Sequence, residues 1–172
     1  MAMYLDVCNA NASSRIMKRL SIALALICLC RSLLLAEEYY IDSRHGDDAA
    51  AGTSPETAWS SLRAANQHAF KPGDVIYLHS GQIFDGQFRP ISSGADGQPI
   101  TLTSYMDGPK PVIAGHGLTR SAVFLENLSH WVIDGIEITN TGKSREAKRV
   151  GVLVFAKNIG VVQDITLRNL LV

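Results

Sequence analysis

Two segments near the end of the chain share one pattern, and that pattern narrows the folds open to it. "WVIDGIEI" (131–138) and "ITLRNLLV" (165–172) both run apolar, x, apolar, x, Gly or Asn, apolar, x, apolar. Trp131 aligns with Ile165, Ile133 with Leu167, Ile136 with Leu170 and Ile138 with Val172, which sets Asp134 opposite Arg168 and Gly135 opposite Asn169. Gly and Asn tolerate left-handed backbone, so the fifth position reads as a bend that interrupts a two-residue alternation. The preceding strings match too: "VFLEN" (123–127) lies over "VFAKN" (154–158). Units this short cannot bury an apolar face alone, and their repetition is the mark of a solenoid. In a β-solenoid equivalent residues stack about 4.8 Å apart. The alignment therefore sets Asn127 over Asn158, with a turn role favoured over an amide ladder, and Glu126 over Lys157 as an outer ion pair worth under about 1 kcal/mol.

Upstream, Gly and Pro clusters punctuate short β-branched runs, which predicts many short strands. These cover 39–42, 74–79, 99–105, 111–115, 122–127, 130–139, 151–156 and 164–172. Only "SPETAWSSLRAANQHAF" (54–70) reads as helical, over 60–68. Trp59, Leu62, Ala65 and Ala69 fall near one face, Ser60 is placed to cap it, and Pro72 and Gly73 stop it. In "VIYL" (75–78) the inward alternation starts at Val75 or at Ile76.

The first 36 of the 172 residues read as a leader. Lys18 and Arg19 form a basic start, 20–30 an apolar stretch, and Ala36 a small residue at the cleavage point. Sixteen residues precede that basic start, so translation is expected to begin at Met17. The apolar stretch is short for a bilayer span, and no transmembrane segment is expected after its removal. Cys8, Cys28 and Cys30 all lie in the leader, which leaves the domain at 37–172 without a disulfide, a Cys metal site or a thiol nucleophile. Taking Arg15, Lys18, Arg19, Arg31 and Asp6 from the totals of 16 and 16 leaves 12 basic and 15 acidic residues. That balance offers no support for a nucleic-acid partner. The expected destination is secreted, periplasmic or cell-surface.

A run of features in order carries a resemblance: "YYIDSRHGDDAAAGTSPETAWSSL", "KPGDVIYLHSGQIFDG", "SGADGQPITLTSY", "KPVIAGHG", then the coils from Ala122 onward. It resembles the N-terminal part of a secreted right-handed parallel β-helix protein of the pectate-lyase-like superfamily. The resemblance implies an all-β solenoid whose N-terminal end is covered by the helix, with Trp59 sealing the core. It also implies further coils, because Val172 falls inside an apolar strand. The chain is thus expected to be an N-terminal portion that is inactive alone, with a last coil able to self-associate.

Many members of that superfamily cleave acidic polysaccharides by β-elimination, which needs a base and a cation or Arg to neutralise a uronate. Others are hydrolases with two carboxylates across the scissile bond. A lyase of acidic glycans is the leading expectation; a glycoside hydrolase of the same fold and a non-catalytic, adhesin-like binder are the alternatives. Catalytic residues are not identified in the sequence.

The strongest candidate for contact with an acidic polysaccharide is the basic loop "NTGKSREAKR" (140–149), with Lys143, Arg145, Lys148 and Arg149. His116, between two glycines, is a further candidate. No cofactor is visible, and Ca2+ enters only through the resemblance. Asp42, Asp47 and Asp48 in "DSRHGDD" lack the alternation of a known calcium loop, and a solvated turn is the favoured reading. Asp85 and Arg89 are expected to form a surface ion pair. No phosphate loop, zinc spacing or nucleophile triad is present.

Overall fold

The computed structural model describes residues 36–172, and the leader reading, with Cys8, Cys28 and Cys30, lies outside the described residues up to residue 35. Ten strands follow in chain order: β1 (Glu38–Ile41), β2 (Val75–His79), β3 (Ile83–Asp85), β4 (Ile100–Tyr105), β5 (Val112–Ala114), β6 (Ser121–Glu126), β7 (Trp131–Asp134), β8 (Glu137–Thr139), β9 (Val150–Phe155) and β10 (Ile165–Arg168). They form three parallel sheets, ordered β1-β2-β4-β7-β10, β3-β5-β8 and β6-β9. The chain visits the sheets in rotation, β4 to β5 to β6 and then β7 to β8 to β9, so each circuit is one coil. The result is a right-handed parallel β-helix with a capped N-terminal end.

The alternation expected from sequence fills the interior. Ile76, Leu102 and Ile133 are register partners on successive strands, and all three are fully buried. Val75 is only half-buried while Ile76 and Leu78 are fully buried, so the inward alternation of β2 starts at Ile76. Phe84 and Ile113 of the second sheet and Val123 and Leu125 of the third close the core from the other sides. On the last coil the inward positions reach solvent: Val154, in register with Leu125, and Leu167, in register with Ile133, are exposed.

The repeat of 131–138 over 165–172 forms as aligned. Trp131 pairs with Ile165, Ile133 with Leu167 and Asp134 with Arg168. Arg168 Nε donates to Asp134 Oδ2 at 3.0 Å across a spacing of 34 residues. Gly135 and Asn169 take φ of 73° and 53°, the left-handed bend their residue types suggested.

The second alignment is corrected. Val123 pairs with Val152 and Glu126 with Phe155, so Asn127 is not stacked on Asn158. "VGVLVF" carries a valine at every second position, and a slip of two residues preserves the inside-outside pattern. Asn127 and Asn158 still share the left-handed corner conformation, with φ of 59° and 56°. Asn127 Oδ1 accepts a hydrogen bond from the Lys157 backbone N–H at 2.7 Å. The expected Glu126 to Lys157 pair is absent among the described residues, because Glu126 bonds Arg89 instead.

The cap also forms, two residues shorter at its start and one at its end than the expected 60–68. Helix α1 spans Leu62–Gln67, with Ser61 rather than Ser60 as its N-cap. Asp48 decides this start: its carboxylate accepts from the backbone N–H and the hydroxyl of both Ser60 and Ser61, at 2.5 to 2.9 Å. Leu62 and Ala65 are buried, whereas Ala69 is exposed and Phe70 takes the place expected for it in the core. Trp59 extends the first sheet beyond β1, bridging Ile41 in parallel. Its ring stacks on Tyr39 at 5.3 Å, and Nε1–H donates to the Ala50 carbonyl at 3.1 Å. The cap thus occupies the edge of β1 that would otherwise present unpaired backbone groups.

Asp42 ties the cap to the second coil and makes the fold sensitive to acid. Burial opposes its charge, but hydrogen bonds from Gln82, from the Arg44 and His45 backbone amides and from the His45 ring outweigh that and bring its carboxyl down to about 2. A depressed carboxylate contributes stability that is fully present above the unfolded value of 3.8 and lost as pH falls through about 2. The expected result is a loss of roughly 2 kcal/mol between those limits that Asp42→Asn removes, read from urea unfolding at stepped pH. Identical pH slopes in both proteins would contradict it.

Candidate functional site

The candidate residues converge on one corner, where the chain passes from the second sheet to the third. In the earlier coil this passage is the turn 115–120. In the next it is the longer loop 140–149, lying directly against that turn. Gly115 N–H donates to the Thr139 carbonyl, and Val150 N–H to the Arg120 carbonyl, so the flanking strands stay in register while the loop projects.

Asn140 fastens the loop at its root. Its Oδ1 accepts from the Gly117 N–H, and its Nδ2 donates to the carbonyls of Thr119 and Val150, all at 3.0 Å. A Cβ on Gly117 would stand 2.5 Å from the Gly142 Cα, so the turn and loop meet backbone to backbone. Nothing in the local pattern singles out Asn140; a polar residue ending an alternating strand is the one available signal.

Lys143, Arg145 and Lys148 are exposed on the loop, and with the exposed Arg120 they form no ion pair with the described carboxylates. Arg149 differs. Its side chain keeps only 12% of its exposure, and its guanidinium pairs with Glu146 at 2.8 Å. It also donates to the carbonyls of Ser144 at 2.5 Å and Gly117 at 3.3 Å. A cleft of about 580 Å3 opens beside the loop, lined by Thr139, Asn140, Arg145, Lys148 and Arg149 among others.

His116 lies one coil above Asp85, its Nε2 2.6 Å from Asp85 Oδ1. This corrects the expected Asp85 to Arg89 pair: Arg89 reaches Glu126 at 2.6 Å instead. Both real partners are a coil apart, a separation that local spacing does not reveal. The Arg89 guanidinium also lies over the Phe124 ring, 5.0 Å from its centroid. Phe124, Glu126 and the exposed Phe155 therefore give the third sheet an outer face that is apolar and charged together.

The carboxylates of the "DSRHGDD" turn serve separate tasks. Asp42 holds Gln82 and the turn amides, Asp47 accepts from the Ala49 N–H, and Asp48 starts the helix. They do not converge, and no group of three metal-ligating side chains is found among the described residues. Asp42, Asp47 and Asp48 are thus not gathered around one point as the ligands of a calcium ion are. No described helix is long and apolar enough to cross a membrane.

No family model matches the chain. A lacto-N-biosidase of Bifidobacterium longum subsp. longum is 30% identical over 184 residues, covering 77% of this chain and 12% of that protein. An alpha-1,3-galactosidase A of Akkermansia muciniphila is 31% identical over 70 residues, covering 41% of this chain and 11% of that protein. Among solved structures, the native crystal structure of GH136 lacto-N-biosidase from Eubacterium ramulus superposes with a TM-score of 0.71 at 30% identity, covering 78% of this chain and 26% of that one. The chain thus spans about an eighth or less of the curated relatives it matches. The structural likeness supports the β-solenoid fold. The likenesses are to glycosidases, whereas the resemblance drawn from sequence placed lyases first.

Proposed function

We infer that the chain forms the capped N-terminal coils of an exported, carbohydrate-active β-helix of the glycoside-hydrolase kind, and that its corner of turn 115–120 and loop 140–149 contacts glycan. The observation that carries this is the pairing of a glycosidase likeness over most of the domain with a rigidly rooted loop of exposed cations. Lys143, Arg145 and Lys148, flanked by His116 and Arg149, suit a carboxylate- or sulfate-bearing sugar, which forms charge-assisted hydrogen bonds with Lys and Arg.

The corner is suited to holding glycan and not to cleaving it. Hydrolysis calls for one carboxyl that protonates the leaving oxygen and a second that acts as nucleophile or base. Asp85 and Glu146, the carboxylates at this corner, are engaged by His116 and Arg149 respectively. Such pairs build a charged wall against which a sugar is positioned.

The test is calorimetric titration of the purified chain with sulfated, uronate-bearing and neutral oligosaccharides at low and high salt. Acidic oligosaccharides are expected to bind more tightly than neutral ones and to lose about tenfold in affinity between 0.05 and 0.5 M salt, because exposed cations are screened. Equal binding of neutral and acidic sugars, unaffected by salt, would contradict the assignment of the corner. Appearance of the ultraviolet absorbance of an unsaturated uronate during incubation with pectate would restore the lyase reading in place of the hydrolase one.

A further inference from the structure

We propose that Arg149 is a positioning residue, the latch that holds loop 140–149 in the shape that presents Lys143, Arg145 and Lys148. The proposal rests on the glycan-contact reading for its functional meaning, but its geometry stands apart from any ligand.

Arg149 differs from its three basic neighbours in every relevant respect. Its guanidinium is largely buried, and its donors reach three different places. One nitrogen donates to the Ser144 carbonyl in the outgoing half of the loop. The other pairs with Glu146 near the tip and donates to Gly117 on the turn of the preceding coil. A single planar fork thereby ties the loop to itself and to the coil beneath it. Lys cannot reproduce this, since its one ammonium is a compact point charge without a planar fork.

The glycines around it leave the space. A Cβ on Gly142 would stand 2.6 Å from one Arg149 nitrogen, and a Cβ on Gly117 would stand 2.9 Å from its Cζ. The turn and the loop both lack side chains where the guanidinium lies flat between them. Lys148, just before it, takes a left-handed φ of 67°. A loop of this length without such a tie would sample many shapes, and each would have to be lost again on binding. The latch removes that cost beforehand.

Trypsin provides a direct readout, because Lys143 and Arg145 lie inside the latched segment. Arg149→Gln is expected to speed cleavage after these two residues about tenfold, with little change in melting temperature, since local opening governs proteolysis of a folded chain. Arg149→Lys should behave like the Gln variant. Lys143→Ala should leave cleavage after Arg145 at the wild-type rate while weakening a sulfated oligosaccharide probe, which separates a contact residue from the latch. Should Arg149→Gln not fold, Glu146→Gln, which removes one exposed partner, carries the test with an expected acceleration of about threefold. Wild-type cleavage rates in the variant that folds, or full rescue by Lys, would overturn the proposal. Absence of oligosaccharide binding by the wild-type chain would remove the glycan reading and leave the cleavage comparison to decide the latch.

Discussion

Trp131→Ala is expected to cost about 3 to 5 kcal/mol of folding stability, the range for removing a buried aromatic side chain and leaving a cavity. Trp131 is completely buried at the junction of two sheets, between Ile100 and Ile165 on the neighbouring strands. Its ring meets Phe88 edge to face at 5.9 Å, and Phe88 bridges Val123 of β6, which ties the first sheet to the third. Its Nε1–H donates to the Ser92 carbonyl at 2.9 Å, so truncation also strands a polar group. Trp131→Phe keeps most of the volume and loses the hydrogen bond, and should cost about 1 to 2 kcal/mol. Urea unfolding followed by circular dichroism measures both. A cost under about 1 kcal/mol for the Ala variant would mean that the rungs do not share one packed interior.

Gly46→Ala is expected to cost about 3 kcal/mol, for the opposite reason of too little space. A Cβ there would stand 2.2 Å from the Trp59 carbonyl oxygen, 2.5 Å from its carbon and 2.6 Å from the Asp42 carbonyl oxygen. All three atoms are backbone, and none can swing aside. The same carbonyls accept the Asp42 N–H at 2.8 Å and the Gly46 N–H at 2.9 Å, so displacement breaks the joint between cap and first coil. Faster hydrogen exchange at Asp42 and at the strand partners of Ile41 should accompany the loss. Gly160→Ala is the control, since a Cβ there meets nothing within 4 Å, and it should be close to neutral. Equal stability of the two variants would argue against the cap as a packed closure.

What was legible in the sequence follows the strength of local constraint. The pairing of 131–134 with 165–168 could be read because a bend residue, Gly135 or Asn169, fixes the phase of the alternation. The pairing of β6 with β9 could not, since repeated valines fit at more than one offset. β3 escaped notice because three residues between Gly81 and Gly86 carry no periodicity, and they form a strand only against β5. The helix was visible, but its start was set by Asp48, a dozen residues earlier.

For the site, the cluster of Lys143, Arg145, Lys148 and Arg149 was plain, and so was the exposure of its loop. The difference between Arg149 and the rest was hidden, because two of its partners are backbone carbonyls, which every residue has. The pairs of His116 with Asp85 and Arg89 with Glu126 cross from coil to coil and have no local signature.

The corner of turn 115–120 and loop 140–149 is the surface proposed to meet glycan. Amide-resolved NMR of the labelled chain, titrated with a sulfated oligosaccharide, tests it most directly. Shifts are expected to concentrate in 115–120 and 140–150, to saturate, and to weaken about tenfold or more when Lys143, Arg145 and Lys148 are changed together to Ala. Saturable shifts that fall elsewhere on the solenoid, or an affinity unchanged in the triple variant, would contradict it.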